Sequence, residues 1–556
     1  VIRSSSDSGA LDNVFELLVH SGKLAPLIKL MMIPDAWSKR SKTVPKNHQD
    51  LFNFLNSTIE PWDGPAAVCA TDAKWVIASV DRNGLRPLRY TITSDNLIFA
   101  GSETGMISIP EEKIVKKGRL GPGEIIAVEL KKGKLFLDQE IKDYVSKSYK
   151  KFNKQIVDLE KKIKSPKEIN NFFGDELRRR QYLSGLSVED LEMILHPMVE
   201  ESKEATGSMG DDTPVAVLSS HYRPISHYFR QNFSQVTNPP IDSLREKVVM
   251  SLRTKIGNLT NILDEDQYQC DHLQLNSPIL SINQFKTLRQ YMKDKVKIIA
   301  TTVEIKKENL SFKKELNRIN QEAEEAVRSG YVHIILTDKE LSKNKIAIPM
   351  ILVTSSVHNY LVKKNLRTFI SLNVQSAECL DIHYFAVLLG VGATSINAYV
   401  AQQAIAERHK KGLFDTLTYE QCVERYIVAV KNGLLKIMSK MGISVVSSYR
   451  GGCNFEAIGL SRSLMADYFP SMSSKISGIG LKGLEKRSIN AHNKAFNNNL
   501  ITLPIGGFYR FRKGGEKHSF DANSIHMLQS AVGSDSYKKF KKYSELVDND
   551  QIINLR

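Results

Sequence analysis

The stretch DRNGLRPLRY, residues 81–90, carries a specific turn signal. Asn83 and Gly84 are a pair typical of tight turns, and the Arg-Pro pair that follows stiffens the outgoing chain. Taken alone, the stretch could be an ordinary hairpin with a charged turn, or Asp81 could form an ion-pair network with the neighbouring arginines. Short β-rich runs broken by turn residues surround it over 66–102. This pattern predicts an antiparallel sheet.

Upstream, the stretch SSSDSG at 4–9 places Asp7 just before a predicted amphipathic helix, LDNVFELLVHSG (11–22). Ser and Asp are favoured helix N-caps, so a capping role for Asp7 is the simplest interpretation of this stretch by itself. Downstream, LGPGEIIAVELKKGKLFLD (120–138) predicts a further hairpin after a Gly-Pro-Gly turn.

The hydrophobic pattern of the chain, and with it the predicted secondary structure, changes along its length. Residues 139–168 are a charged helical stretch, and helical patterns dominate 174–265. From residue 295, apolar runs recur between helices: VKIIATTVEI, YVHIILTD, IAIPMILVTSS, RTFISLNVQS and ISVVSSY. Continuous rather than alternating apolar strands indicate a sheet buried on both faces, which is typical of parallel strands with helical crossovers. We therefore expect a barrel or part-barrel, with function in the loops after its strands.

Composition bounds the class of protein. A chain of 556 residues with 42% hydrophobic and 25% charged residues is expected to form two to four globular domains. The net charge of +16 suggests nucleic-acid binding as one hypothesis. However, lysines are interspersed with acidic residues, as over 157–168, so no nucleic-acid partner is expected. No apolar stretch is long and uninterrupted enough to span a membrane, so no membrane partner is expected either.

Metal-binding side chains are present but poorly spaced. The five cysteines form no CxxC pair, which predicts neither a zinc nor an iron–sulfur site in this chain, and favours free thiols in the cytoplasm. Four residues of one polar region could ligate a metal as isolated chemistry: Asp211, Asp212, His221 and His227. Their spacing matches no standard site, so satisfied polar groups are the preferred interpretation.

Three glycine-rich stretches could approach phosphate groups. GIGLKG (478–483) fits a dinucleotide pattern, but the residues before it make a poor strand, so loop and helix-start glycines are expected. GVGATS (390–395) and YRGG (449–452) could cradle a phosphate or form tight β-to-α turns, and the turns are preferred. Cys453, beside the last of them, is predicted to be a buried thiol.

The stretch 81–90 resembles the Asp-x-x-Gly-[Ile/Leu]-Arg-Pro-Leu signature of class II, N-terminal-nucleophile glutamine amidotransferases. These carry a Ser-Asp-[Ser/Thr] element upstream, and the resemblance implies that Asp7 binds the α-ammonium group of glutamine through a charge-assisted hydrogen bond. It also implies that four residues shape the amidotransferase sheet: Asp81, Gly84, Arg86 and Pro87.

Two catalytic elements of that family have no counterpart in this sequence. The nucleophilic N-terminal Cys and the His-Asn-Gly segment of the oxyanion hole are expected to precede Val1, and the first cysteine is Cys69. Without a positioned nucleophile, the segment by itself is expected to lack glutaminase activity.

Four longer blocks, at 207–246, 366–399, 433–461 and 503–520, resemble the central domain of glutamate synthases, in that family's order. The chain is identified as an internal fragment of such an enzyme. The expected fold is α/β and α+β multidomain, with an αββα amidotransferase part followed by a central α/β domain whose mostly parallel sheet is part-barrel-like. The implied domains are 1–150 (amidotransferase), 151–173 (helical connector), 174–505 (central) and 506–556 (entry to the flavin-binding domain).

This resemblance implies a function. Glutamate synthases release ammonia from glutamine and pass it through a tunnel to a flavin site, where 2-oxoglutarate is aminated and reduced to glutamate. Thr237 and Asn238 of VTNPPID are implied to line that tunnel. The segment itself is expected to bind no cofactor and no metal. FMN, a 3Fe-4S cluster and an NADPH, NADH or ferredoxin donor would belong to the larger enzyme, with a small electron-supplying subunit or ferredoxin as partner and an oligomer possible.

Two other interpretations remain open. The chain could be a stand-alone non-catalytic scaffold that binds glutamine or a partner subunit. An amidotransferase of the phosphoribosyl-pyrophosphate type shares the GLRPL signature, but it would need a phosphoribosyl-binding motif after the sheet, and none is found.

Overall fold

The structure, a computed structural model, describes residues 6–36, 43–148, 156–158, 172–207, 210–233, 238–259, 261–263, 272–305, 310–414, 416–497 and 501–549. Residues 6–148 are called the N-terminal part here, 172–497 the central part, and 501–549 the C-terminal segment. The helices of the N-terminal part are α1 (Asp7–His20), α2 (Ala25–Met32), α3 (Lys46–Thr58) and α4 (Asp138–Ser148). Its strands are β1 (Ala67–Thr71), β2 (Trp75–Val80), β3 (Arg89–Thr93), β4 (Ile98–Gly101), β5 (Ile114–Arg119), β6 (Ile125–Glu129) and β7 (Lys134–Phe136).

The N-terminal part is layered. Strands β1-β2-β6-β7 form one antiparallel sheet and β4-β3-β5 form another. Helices α2, α3 and α4 pack on one face of the four-stranded sheet through apolar side chains such as Phe52, Trp75 and Ile125. Its other face meets the three-stranded sheet through Val80 and Tyr90. These are three layers of the expected αββα arrangement; the described residues do not form a second helical layer.

The stretch 81–90 connects the two sheets. Strand β2, which ends at Val80, pairs only within the four-stranded sheet, and β3, which begins at Arg89, pairs only within the three-stranded sheet. The hairpin interpretation is therefore wrong, because a hairpin turn joins two strands that pair with each other. The turn instead moves the chain from one β layer to the next.

The helical connector expected over 151–173 is not helical where the structure describes its middle. Strand β8 (Ile156–Asp158) pairs in parallel with β11 (His272–Leu275), which pairs antiparallel with β10 (Thr254–Ile256). Two β-branched residues of β8 find a partner strand far along the chain, and such tertiary pairing overrides the local helical pattern. Of the charged helical stretch predicted over 139–168, the first part is helical, as α4, which ends at Ser148.

The central part begins with short elements: α5 (Gly174–Leu183), a π-helical turn (Asp190–Leu195), α6 (His196–Glu200), β9 (Phe229–Gln231) and α7 (Ser243–Val249). It continues with α8 (Ile282–Met292), β12 (Val296–Ala300), β13 (Thr302–Glu304), α9 (Phe312–Arg328), β14 (His333–Thr337), β15 (Lys345–Ala347), α10 (Met350–Lys363), β16 (Ser371–Ser376), α11 (Ile382–Gly390), β17 (Ser395–Ala398), α12 (Tyr399–Lys410) and α13 (Tyr419–Lys440). It ends with α14 (Val446–Tyr449), β18 (Phe455–Leu460), α15 (Arg462–Tyr468), β19 (Ser473–Ile479) and α16 (Leu481–Asn497). The C-terminal segment contains α17 (Ala522–Gly533) and α18 (Tyr537–Asp548).

The core of the central part is a four-stranded sheet in the order β12-β14-β16-β17, with every neighbouring pair parallel. Helices α9, α10 and α11 connect its strands in turn, and all residues of β14, β16 and β17 are buried. A second sheet, β19-β18-β9, packs near it. Continuous apolar runs here are strands covered on both faces.

Two predicted strands are wrong. IAIPMILVTSS contains only the short β15, after which Pro349 caps α10, whose residues from Met350 to Ser356 are all buried. ISVVSSY contributes only a single parallel bridge from Val445 to Ser251, and then the short helix α14. A helix that is buried on all sides has no polar face, so its sequence cannot be told from a buried strand by periodicity. No helix among the described residues is long and apolar enough to span a membrane.

Candidate functional site

Asp81 organises the turn between the two sheets of the N-terminal part. Its buried carboxylate accepts hydrogen bonds from the backbone N–H groups of Ala66 (3.2 Å), Asn83 (3.0 Å), Leu85 (3.1 Å) and Arg86 (3.2 Å). No ion pair to an arginine is formed among the described residues, so the ion-pair network does not exist there. Arg86 and Pro87 are exposed. The carboxylate therefore satisfies backbone donors that the turn would otherwise leave unpaired.

Gly84 occupies a position that other residues fit poorly. Its φ is +64°, in the left-handed region, and a Cβ there would lie 2.7 Å from Cγ of Pro122. Its own N–H donates to the Asp81 carbonyl oxygen at 3.0 Å. The glycine of the signature is thus required both by backbone conformation and by the close approach of the neighbouring loop.

Asp7 does not cap the helix that it begins. The N-cap is Ser6, whose Oγ accepts a hydrogen bond from the Gly9 N–H at 3.2 Å, and Asp7 is the first helical residue. The Asp7 side chain is exposed, and its carboxylate makes no hydrogen bond or ion pair with a described residue. The carboxylate is therefore available to a ligand, with the positive end of the α1 dipole beside it.

Asn238 lies at the junction of the N-terminal and central parts. A Cβ on Gly64 would lie 2.8 Å from the Asn238 Oδ1, and a Cβ on Gly442 would lie 2.6 Å from the Asn238 Cβ. Both glycines have positive φ, +127° and +70°. The half-buried Asn238 thus lies between two glycine residues, whose missing side chains leave room for it. Thr237, the other predicted tunnel residue, lies outside the described residues.

Direct hydrogen bonds join the two parts beside Asn238. The Asp63 carboxylate accepts from both the backbone N–H (3.1 Å) and the hydroxyl of Ser444. Arg245 Nε donates to the carbonyl oxygen of Asn83, within the inter-sheet turn, at 3.1 Å. The signature turn and the start of α7 are therefore in contact, although 162 residues separate them in sequence.

Two of the glycine-rich stretches close around a histidine. A Cβ on Gly392 would lie 2.2 Å from His358 Nδ1, and a Cβ on Gly451 would lie 3.2 Å from His358 Cε1. Arg367 holds the ring by donating from Nε to Nδ1 at 3.0 Å. Burial and the positive charges of Arg367 and Arg450 lower the pKa of His358 to about 3. These loops thus pack against an imidazole, and the turn interpretation agrees with their geometry.

The third glycine stretch does follow a strand, contrary to expectation, because 473–479 is β19. Its glycines are explained by packing. A Cβ on Gly478 would lie 2.3 Å from the carbonyl oxygen of Gly459 in the neighbouring β18, and a Cβ on Gly483 would lie 2.5 Å from Ile479. These close approaches account for the pattern without a dinucleotide.

Two of the four candidate metal ligands, Asp211 and Asp212, have protein partners. Asp212 pairs with His518 Nδ1 at 2.8 Å, and Asp211 accepts two hydrogen bonds from Thr213. The described residues contain no group of three or more His, Cys, Asp or Glu side chains that could hold a metal ion. Burial raises the pKa of Cys69 and raises that of Cys453 to about 11, so neither is an activated thiolate.

Two known protein families match the sequence of this chain. The pattern of the glutamate synthase central domain matches residues 179–461. The chain belongs to the glutamate synthase central-domain family. The pattern of class II glutamine amidotransferases matches residues 1–154, the region that contains Asp7 and the inter-sheet turn.

Three curated glutamate synthases align with nearly the whole chain. The glutamate synthase [NADPH] large chain of Azospirillum brasilense is 55% identical over 99% of this chain, which is 37% of that protein. The large chain of Bacillus subtilis is 36% identical over 99% of this chain and 36% of its own length. The ferredoxin-dependent glutamate synthase 2 of Arabidopsis thaliana is 36% identical over 99% of this chain and 35% of its own length. The chain therefore spans a little over a third of these glutamate synthases.

Sequence reasoning missed the residues that surround Asn238 in this family member. Gly64 and Asp63 belong to no motif in the linear sequence. Gly442 and Ser444 lie in the family block 433–461 but do not stand out within it, and all four lie far from Asn238 along the chain. The one available signal was WDGP at 62–65, where Asp-Gly is followed by Pro, a pattern that marks a fixed turn.

Proposed function

We propose that this chain forms part of a glutamate synthase, contributing Asp7 to the glutamine site and Asn238 to the path of ammonia. The larger enzyme would aminate 2-oxoglutarate with ammonia from glutamine and reduce the imine to glutamate. The enclosure of Asn238 between Gly64 and Gly442, at the junction of the two matched regions, is the observation that carries this proposal. A small polar side chain between two glycine residues suits a narrow passage for a neutral hydrogen-bonding molecule.

The other assignments are part of the same proposal. The amidotransferase domain would occupy 1–150, the central domain 174–505 and the entry to a flavin-binding domain 506–556, and the central sheet would be part of a barrel. The parallel order of its four strands, with a helix between successive strands, is the observation behind the barrel assignment. Relatives named as NADPH-, NADH- and ferredoxin-dependent indicate the class of electron donor, delivered by a small subunit or ferredoxin in the cytoplasm.

FMN and a 3Fe-4S cluster would belong to other parts of that enzyme. The described cysteines of this chain do not fit a cluster: Cys379, Cys422 and Cys453 are buried as free thiols, and no three ligands converge. No step of the proposed reaction therefore passes through a cofactor held by these residues.

The glutamine site is tested with Asp7→Asn in the protein extended to the length of its relatives. Loss of the carboxylate should raise the KM for glutamine, because the charge-assisted contact to the α-ammonium group is removed, and leave ammonia-dependent glutamate formation intact. Asp12→Asn, on the exposed surface of the same helix, is the matched control. Equal losses in both assays would contradict a role in glutamine binding.

The ammonia path is tested with Asn238→Leu in the same protein. The bulkier apolar side chain should uncouple the two reactions, so that glutamine is hydrolysed in excess of glutamate formed. Asn493→Leu, on the exposed side of α16, controls for the substitution itself. Unchanged coupling would remove Asn238 from the path, and an extended protein with no glutamate formation at all would favour the scaffold interpretation.

A further inference from the structure

A second feature of the junction between the N-terminal and central parts is a cavity of about 180 Å³. Its walls come from both parts: Glu60 and Arg82 from the N-terminal part, and His358, Arg367 and Arg450 from the central part. Neither Asp7 nor Asn238 lines it. The cavity is thus separate from the residues assigned to glutamine and ammonia.

Arg82, in the inter-sheet turn, is 5% exposed, and its Nε and Nη1 have no hydrogen-bond partner among the described residues. The acids whose charges act on it are Asp63 and Asp35, and Asp35 itself lines the cavity. Both have other partners. Asp63 accepts from Ser444, and Asp35 pairs with Lys142 at 3.1 Å. A guanidinium group is therefore held in the wall of the cavity without a bonded counter-charge in the described structure.

Arg450, the arginine of YRGG, reaches the same cavity from the central part. Its side chain makes no hydrogen bond or ion pair with a described residue, and Glu60 is the acid whose charge acts on it. Arg367 behaves differently. It donates to His358, to the Ile370 carbonyl oxygen and to the Gly392 carbonyl oxygen, so each of its three side-chain nitrogens has a partner within the fold.

Unpartnered buried charge is costly, and proteins normally pair it or bind a counter-ion. Guanidinium groups match carboxylate and phosphate oxygens in two-point hydrogen bonds. A cavity of about 150 Å³ holds a ligand the size of benzene, so a small anion fits the present volume. We propose that this cavity binds a small oxyanion, a carboxylate or a phosphate, between Arg82 and Arg450.

Such a site would place one anion in contact with both parts of the chain. Arg82 directly precedes Asn83, whose carbonyl oxygen accepts from Arg245, so the anion would support a turn that already touches the central part. The inference does not depend on the catalytic proposal, because it uses neither Asp7 nor Asn238.

The test is isothermal titration of the 556-residue chain with inorganic phosphate and, separately, with succinate, in chloride buffer of matched ionic strength. We expect saturable binding of at least one anion. Arg82→Met and Arg450→Gln should each weaken it at least tenfold. Arg119→Gln removes the same charge from an exposed position in β5, and should change the affinity less than twofold.

The two titrations separate the sources of the oxyanion: tighter binding of succinate indicates a dicarboxylate, and tighter binding of phosphate indicates a phosphorylated ligand. Thermal unfolding with and without the anion checks that each variant is folded, and Arg450→Lys replaces any variant that is not. No saturable binding of either anion, or binding that survives both substitutions, would overturn the proposal.

Discussion

The carboxylate of Asp63 accepts hydrogen bonds from both the backbone N–H and the hydroxyl of Ser444, and so joins the N-terminal part to the central part. Ser444 is fully buried, and it lies next to the residue that bridges to Ser251. This contact fixes the spacing between Gly64 and Gly442, which enclose Asn238. The junction is therefore held by a polar contact as well as by apolar packing.

We expect Asp63→Asn to loosen the junction. The amide keeps one acceptor but loses the charge, and hydrogen bonds to a charged group contribute about 1.5–3 kcal/mol. Hydrogen exchange at the amide of Ser444 should accelerate, and the thermal transition should fall. Asp12→Asn is the control. Unchanged protection at Ser444 would show that packing alone holds the two parts together.

Gly84→Ala should destabilise the N-terminal part. The substitution forces an alanine into φ +64° and places its Cβ 2.7 Å from Pro122, so strain and overlap add. The matched control is Gly133→Ala, with φ +59° and open space around the Cβ, which isolates the backbone cost of about 1 kcal/mol. Urea unfolding should show a loss about 1–3 kcal/mol greater for Gly84→Ala. Equal losses would mean that the Pro122 loop moves aside.

Glu378 should make the stability of the central part fall as pH rises. Burial raises its pKa to about 7, against the opposing hydrogen bonds from Tyr384 and the Met350 N–H. Between its ordinary value of 4.5 and about 7, the folded protein therefore holds a proton that the unfolded chain releases. The free energy of unfolding should drop by roughly 3 kcal/mol over this range.

Glu378→Gln should remove that part of the pH dependence, since a neutral amide keeps the acceptor without the titration. Urea unfolding at pH 5 and pH 8 measures it, with the exposed Glu112→Gln as control. A pH slope that is unchanged in Glu378→Gln would assign the effect to other buried acids, such as Asp338, whose pKa burial raises to about 6.

His518 should make docking of the C-terminal segment depend on pH. Burial opposes its charge, but hydrogen bonds to Asp212 and to the Gly507 carbonyl oxygen prevail, so its pKa is raised above the ordinary 6.5. A raised histidine pKa means that the added stability is fully present below pH 6.5 and is lost as pH rises through the folded-state value. Protection of residues 501–521 from hydrogen exchange should therefore be greater at pH 6 than at pH 8.5.

The same experiment on His518→Gln should give equal protection at both pH values. His526→Gln, on the exposed surface of α17, should behave like the unaltered chain. A pH effect that persists in His518→Gln would rule out the His518–Asp212 pair as its source.

The sequence predicted an element correctly where its residue pattern is compatible with one type of secondary structure. The prediction failed where the pattern fits both a buried strand and a buried helix. YVHIILTD and RTFISLNVQS contain β14 and β16, because β-branched runs bounded by turns are typical of buried strands. IAIPMILVTSS is as apolar, yet most of it is helix, because Pro349 starts α10 and every side of that first turn is covered. Burial of a helix on all sides depends on tertiary contacts that no local pattern contains.

Only part of the candidate site was predictable from the sequence. Asp81 and Gly84 stand out because turn chemistry is local, whereas their role in joining two sheets depends on which strands pair far away in sequence. Arg82 and Arg450 lie in stretches that the sequence singled out, but nothing marked the two arginines themselves, because arginine is normally exposed and a sequence does not show which arginine is enclosed. Asn238 was found only through its family block.

The hydrogen bond from Arg367 to His358 decides the tautomer of that imidazole. Because Nδ1 accepts, the ring proton must reside on Nε2, and a pKa of about 3 keeps the ring neutral at physiological pH. His358 therefore cannot serve as a proton shuttle at physiological pH, although it is a histidine in a cavity wall. The ring is left with a single N–H donor, on Nε2, and the two flanking glycine loops pack against it.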